Sequence, residues 1–122
     1  MTQRSERGKR AEALACAALR REGLQVEATN VRFPVGEIDI VAREGPALCF
    51  VEVRSKSSTT FGNPLESVTM AKRRRLLRAA QWYLKRHRAL PAEIRFDVVA
   101  IEWHDHAPPT LELVRGAFTA DV

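Results

Sequence analysis

Apolar positions along the chain follow two periods in turn, and their order predicts an architecture. From about Arg4 to Arg21, Ala11, Leu14, Ala15, Ala18 and Leu19 recur at the i, i+3, i+4, i+7 spacing of one buried helical face. Gly23 supplies the usual helix stop. Three extended stretches follow: Leu24 to Arg32, Glu37 to Arg43, and Leu48 to about Ser55. Glu44-Gly45-Pro46 between the last two is a turn signal, so those two stretches are expected to pair as a hairpin. Ser57 to Pro64 is polar, carries Gly62, and predicts a loop. Ser67 or Thr69 can cap a second helix running to about Arg88, with Leu76, Leu77, Ala80, Tyr83 and Leu84 as its apolar stripe. Trp82 and Tyr83, beside that stripe, are expected in the core. Glu93 to Trp103 has the nearly unbroken apolar run of a central strand, His104 to Pro109 predicts a turn, and Leu111 to Val114 a short last strand. The order helix, three strands, helix, strand, extra strand predicts a single α/β domain over residues 1–122.

Composition narrows this only modestly. A length of 122 residues suits one core that needs no disulfide or metal staple. Hydrophobic residues at 45 % and charged ones at 29 % argue against disorder. No apolar run approaches the ~20 residues a membrane helix needs, and the opening MTQRSERGKR lacks a hydrophobic signal core. The expectation is a cytoplasmic protein with no membrane partner. Cys16 and Cys49 lie in apolar contexts without CxxC spacing, as reduced core residues do. The net charge of +5 suggests a polyanionic partner without distinguishing nucleic acid from a merely basic surface.

The distribution of charge changes that picture. Lys72, Arg73, Arg74, Arg75, Arg78, Lys85, Arg86 and Arg88 crowd the second helix, and no acid occurs between Glu66 and Glu93. Consecutive helical residues turn about 100° apart, so the four adjacent cations cannot all face one way, and a solvated face is the ordinary explanation of such a run. Yet this helix forgoes the i,i+4 acidic partners that a merely soluble helix carries. Phosphate-backbone binding through Lys72, Arg73, Arg74 and Arg78 is the favoured reading, with nucleic acid, DNA first, as partner. The Ser57–Asn63 loop offers Ser, Thr and Gly groups that suit sugar-phosphate contacts or an ordinary linker.

Acids inside apolar strands are the second anomaly. Asp39 lies between isoleucines and Glu52 between valines. Strand alternation puts Glu52, Arg54 and Lys56 on one face, successive members about 7 Å apart, and a hairpin can bring Asp39 opposite them. Two converging carboxylates bind a hard divalent cation that keeps waters and takes phosphate oxygens as further ligands. Such a metal activates water, while a neighbouring cation steadies charge developing on phosphate. Asp39, Glu52 and Arg54 thus form a candidate phosphodiester hydrolysis site, with Glu12, at the border of the first helix's buried face, a candidate further metal ligand. On the residues alone a second reading stands equally: Asp39 bonds Arg54, Glu52 pairs with Lys56, and one sheet face is wet. Asp97, a third acid within an apolar strand, calls for a structural partner, Arg95 or an arginine of the first helix. Trp103-His104-Asp105-His106 precedes Pro108-Pro109 and suits an exposed corner better than a zinc site.

At these residues the chain resembles a known family. Gly-Glu-Ile-Asp-Ile-Val at 36–41, Phe-Val-Glu-Val-Arg at 50–54, Glu-Ser-Val at 66–68 with Lys72, and Arg-Phe-Asp-Val-Val-Ala-Ile at 95–101 fit the pattern of the YraN family. That family of small bacterial proteins is assigned to the PD-(D/E)XK nuclease superfamily, near archaeal Holliday-junction resolvases. The resemblance runs from about Gly8 to Phe118. It implies a restriction-endonuclease-like αβββαβ core, a mixed central sheet flanked by helices. It also implies a Mg²⁺-dependent (or Mn²⁺-dependent) endonuclease acting on DNA, branched DNA included, in repair or recombination. Its metal acids map onto Asp39 and Glu52, and the helix-one glutamate of resolvases onto Glu12. The superfamily lysine falls on Arg54, a departure this family shows. Arginine as a residue type stays protonated and cannot serve as a general base, so Lys56 becomes the candidate source of the missing ammonium. A non-catalytic nucleic-acid-binding protein on a degenerate nuclease fold is the alternative. Superfamily resolvases act as dimers, which makes a homodimer an expectation, though no self-complementary stripe marks one here.

Overall fold

The Ser5 hydroxyl accepts from the Gly8 N–H at 3.0 Å and so caps the first helix, α1 (Glu6–Arg21). The computed structural model describes residues 5–57 and 63–120; Arg4 and residues 58–62 of the expected loop lie outside them. After α1 come β1 (Gln25–Phe33), β2 (Gly36–Glu44), β3 (Ala47–Ser57), a 3₁₀ turn (Pro64–Ser67), α2 (Met70–Arg86), β4 (Glu93–Trp103) and β5 (Thr110–Phe118). The strands make one five-stranded sheet in chain order, antiparallel except for the parallel β3–β4 pair across which α2 connects. This is the mixed, helix-flanked sheet of a restriction-endonuclease-like core.

Each helix covers one face of the sheet. Ala11, Ala15, Cys16 and Leu19 of α1 pack on Ile40, Ala42, Cys49, Val51, Val99 and Ile101. Leu76, Ala79, Ala80 and Tyr83 of α2 pack on Ile38, Val41, Leu48, Phe50, Phe96 and Val98. β3 is fully covered on both sides from Ala47 to Val51, which explains its continuous apolar run and the burial of Cys49. Its remaining residues, Glu52 onward, emerge from that cover.

Several boundaries shift for identifiable reasons. Thr69, not Ser67, caps α2, its hydroxyl accepting from the Lys72 N–H at 3.3 Å; Ser67 closes the 3₁₀ turn instead. α2 stops at Arg86, because Arg88 turns into the left-handed region at φ 49°. β5 outruns the expected Leu111–Val114 because Arg115 and Gly116 interrupt its apolar pattern, while Phe118 pairs with Phe96 beyond a bulge. Trp82 corrects the core expectation. It is 46 % exposed while Tyr83 is buried, since neighbouring helical residues point about 100° apart and cannot share one inward face.

Candidate active site

The β2–β3 hairpin runs in register from Glu44–Ala47 to Ile40–Val51 and stops there. Ile38 and Ile40, two residues apart, lie in opposite cores, so the face alternation of β2 slips at Asp39. The Val53 N–H donates to Asp39 Oδ2 at 2.8 Å, and the carboxylate thus takes the place of a ladder carbonyl. Local backbone geometry, and not chance exposure, fixes Asp39 at the mouth of the splayed hairpin.

Glu52 meets it there. Its side chain is 18 % exposed, on the α2 side of β3. Burial first, then the Asp39 charge and the hydrogen bond between the two carboxyls, push Glu52 up to about 7 from the ordinary 4.5. Arg54 and Lys72 pull the other way. Asp39 and Glu52 line a cleft of about 230 Å³ whose opposite wall is Lys72, Arg75 and Leu76 of α2. Gly36 lets that wall close in: a Cβ there would stand 3.0 Å from the Arg75 carbonyl oxygen.

Ser67 organises the cations. Arg54 Nε donates to its hydroxyl at 2.8 Å, and Arg54 NH1 lies 3.8 Å from Glu52 Oε1. Lys72 Nζ donates to the Ser67 carbonyl at 3.3 Å while reaching the carboxylate cleft. The sequence places Lys72 among the phosphate-binding cations and Arg75 only in the basic run of the second helix; both line the carboxylate cleft. The signal was present, because positions 72, 75 and 76 share one helical face at i, i+3, i+4.

The other expected members have partners of their own, Glu12 among them on the β1 residue that lies between the Thr29–Ile40 and Val31–Ile38 pairs flanking Asp39. Glu12, on α1, accepts from Asn30 Nδ2 at 2.9 Å, and among the described residues no three acidic, histidine or cysteine side chains cluster to hold a metal. Lys56 lies 4.0 Å from Glu102 Oε1 and lines a different recess, with Thr110 and Glu112. Glu102 is its register partner on β4, so the two side chains stand next to each other across the parallel pair. Arg73 is engaged structurally: Nε donates to the Val68 carbonyl at 3.0 Å and the guanidinium sits 5.3 Å over the Phe118 ring. Arg74 and Arg78 are exposed, free of any such anchoring role in the core. The third strand acid, Asp97, is wholly buried and takes both Nε and NH2 of Arg95, at 2.8 and 2.9 Å.

The sequence profile of the uncharacterised protein family UPF0102 matches residues 11–101. The chain belongs to this family, which is the YraN family. A UPF0102 protein of Desulfosudis oleivorans is 40 % identical over 122 residues, covering 100 % of this chain and 97 % of its own. One of Syntrophotalea carbinolica is 44 % identical over 120 residues, with 98 % and 96 % covered. One of Moorella thermoacetica is 46 % identical over 117 residues, with 94 % and 97 % covered. The UPF0102 match takes in the whole carboxylate cleft and α2, and ends within β4. Among the described residues, no helix is long and apolar enough to cross a membrane.

Proposed function

We propose that this UPF0102 protein is a metal-dependent nuclease that hydrolyses phosphodiester bonds, with DNA as substrate. The observation that carries the reading is the abutting pair Asp39 and Glu52, held at the end of a splayed hairpin and faced by a cationic helix. Two carboxyls this close and this buried repel each other once both are ionised, and a divalent cation relieves that repulsion. The donors are all oxygen, and Mg²⁺ characteristically takes one or two carboxylates and fills its octahedron with waters and substrate phosphate. The residues therefore fit Mg²⁺ or Mn²⁺, held by Asp39 and Glu52. Bound there, the ion would lower the pKa of a coordinated water and polarise the phosphorus centre.

The chain's own groups do the rest. The Val53 N–H keeps Asp39 aimed, and Ser67 holds Arg54 and Lys72 on the phosphate side. Lys72 supplies the ammonium that the strand lacks at Arg54 and that Lys56, engaged with Glu102, does not bring. Arg75 takes the flanking phosphate. Purified protein incubated with linear, nicked and four-way-junction DNA should cleave with Mg²⁺ or Mn²⁺ and not with chelator. Asp39→Asn and Glu52→Gln should each abolish cleavage, and Lys72→Met should lower it about 10²-fold (~3 kcal/mol of transition-state stabilisation) with DNA affinity little changed. Salt-sensitive binding that never leads to cleavage and ignores the two acid changes would select a second reading, a nucleic-acid-binding protein on a degenerate nuclease fold. Arg54 standing where the superfamily carries lysine is the observation in its favour.

A further inference from the structure

Toward the C-terminal end of α2, Trp82 is 46 % exposed, a large apolar surface left in water. It is braced: the Phe33 ring, at the end of β1, lies 5.8 Å away at an interplanar angle of 44°. Beside it, among the described residues, Gln81, Lys85 and Arg86 border a shallow recess of about 520 Å³. Trp82 follows Arg75 by seven residues. On a helix that spacing is nearly two full turns, so the ring stands on the same side as the cleft wall and about 10 Å along the axis. This is close to three stacked nucleotide steps of ~3.4 Å.

We infer that the Phe33–Trp82 pair, flanked by Lys85 and Arg86, is a stacking platform for an unpaired nucleobase of a strand whose phosphates follow the cations of α2 to the carboxylate cleft. The inference rests on the nucleic-acid reading above but not on catalysis. A braced aromatic offers a flat face with little conformational freedom to lose, and cations around it take the adjacent phosphates; that combination is how single strands are held without base-specific hydrogen bonds. A base paired inside a duplex is already stacked on both sides, and a blunt duplex offers a face only at its two terminal pairs. A second copy of this chain fits less well. A two-fold contact centred on Trp82 sets Lys85 and Arg86 against themselves, and no acid lies between Glu66 and Glu93 to balance them.

The test uses the whole protein in EDTA, so that binding is read without cleavage. An oligothymidylate of about a dozen nucleotides and a blunt duplex of the same length are titrated at one salt concentration. Expected for the wild type is quenching of tryptophan emission by the single strand, with the buried Trp103 as internal reference. Trp82→Ala should weaken single-strand binding about tenfold or more and duplex binding less than about twofold. Trp82→Phe should keep the affinity and lose the quenching. Wild-type binding that Trp82→Ala leaves unchanged, or weakens equally for both probes, overturns the platform and leaves the cationic grip standing. A wild-type dimer that Trp82→Ala dissociates, seen by light scattering, assigns the patch to a second copy instead. No binding of either probe overturns the platform and the nucleic-acid reading together.

Discussion

Two groups of acids sit inside the same sheet, on opposite faces, and they are treated in opposite ways. On the α1 face, Asp97 receives two N–H donors from Arg95 and one from the Gly116 backbone, while Glu44 receives donors from Arg95 and Arg115 at 2.7 to 2.9 Å. The Arg115 hydrogen bonds first, then those of Arg95, hold Glu44 down at about 2. On the α2 face, Asp39 and Glu52 lean on each other, the guanidinium of Arg54 stands off at 3.8 Å, and Glu52 is pushed up to about 7. The first group is electrostatically satisfied and belongs to the fold. The second is left under tension that folding alone does not relieve, the condition expected where a ligand of opposite charge completes the site.

The comparison can be broken by experiment, most sharply at Asp97. Asp97→Asn leaves Arg95 to Glu44 alone and puts a neutral amide at a wholly buried position, and should destabilise the protein by about 2–4 kcal/mol in urea unfolding. Glu52→Gln should do the reverse. The folded protein holds the Glu52 proton more tightly than the unfolded chain does, so wild-type stability falls as pH rises from about 4.5 to about 7. In chelator at pH 8, Glu52→Gln should therefore melt higher, by about 1–3 kcal/mol, and the advantage should vanish near pH 4. A Glu52→Gln protein that is destabilised at pH 8 would erase the distinction between the two groups. Glu44 carries the opposite sign. Its lowered value gives stability that is full above about 4.5 and lost as pH falls through about 2. Allowing for solvent around a side chain 28 % exposed, Glu44→Gln should cost about 1–2 kcal/mol at pH 7 and flatten acid unfolding followed by circular dichroism. The smallest effect serves as the reference. Arg88→Gly relieves a left-handed residue at φ 49° that touches neither group, and should add about 0.5–1 kcal/mol equally at pH 5 and pH 8.

How much of the molecule is legible in its sequence differs by residue. The hairpin through Gly45, the Gly23 helix stop and the two helical faces follow from short-range pattern and turn chemistry, whereas the choice of Thr69 over Ser67 as cap does not. Asp97 with Arg95 was foreseeable, because residues two apart on a strand share a face. Asp39 and Glu52 were visible as acids out of place, and their convergence followed from the hairpin. That Lys72, Arg75 and Leu76 share a helical face was legible, but that this face forms the cleft wall, that Arg73 locks over Phe118 and that Lys56 stands beside Glu102 were not, since helix rotation against the sheet and strand register depend on the whole core. Trp82 failed for a narrower reason: one residue along a helix is a turn of about 100°, enough to move a ring from core to solvent.

The sequence by itself determined the order of elements, the one face that each helix buries, and the presence of misplaced acids, because those are properties of local period and side-chain chemistry. Only the tertiary structure decided which acids are neutralised. Glu44 finds Arg115 across 71 positions, and Glu52 finds Asp39 and Lys72 through a hairpin and a helix crossing. A carboxylate's state is set by what stands within a few ångströms of it in a medium of low polarity, and that neighbourhood exists only once the chain has folded.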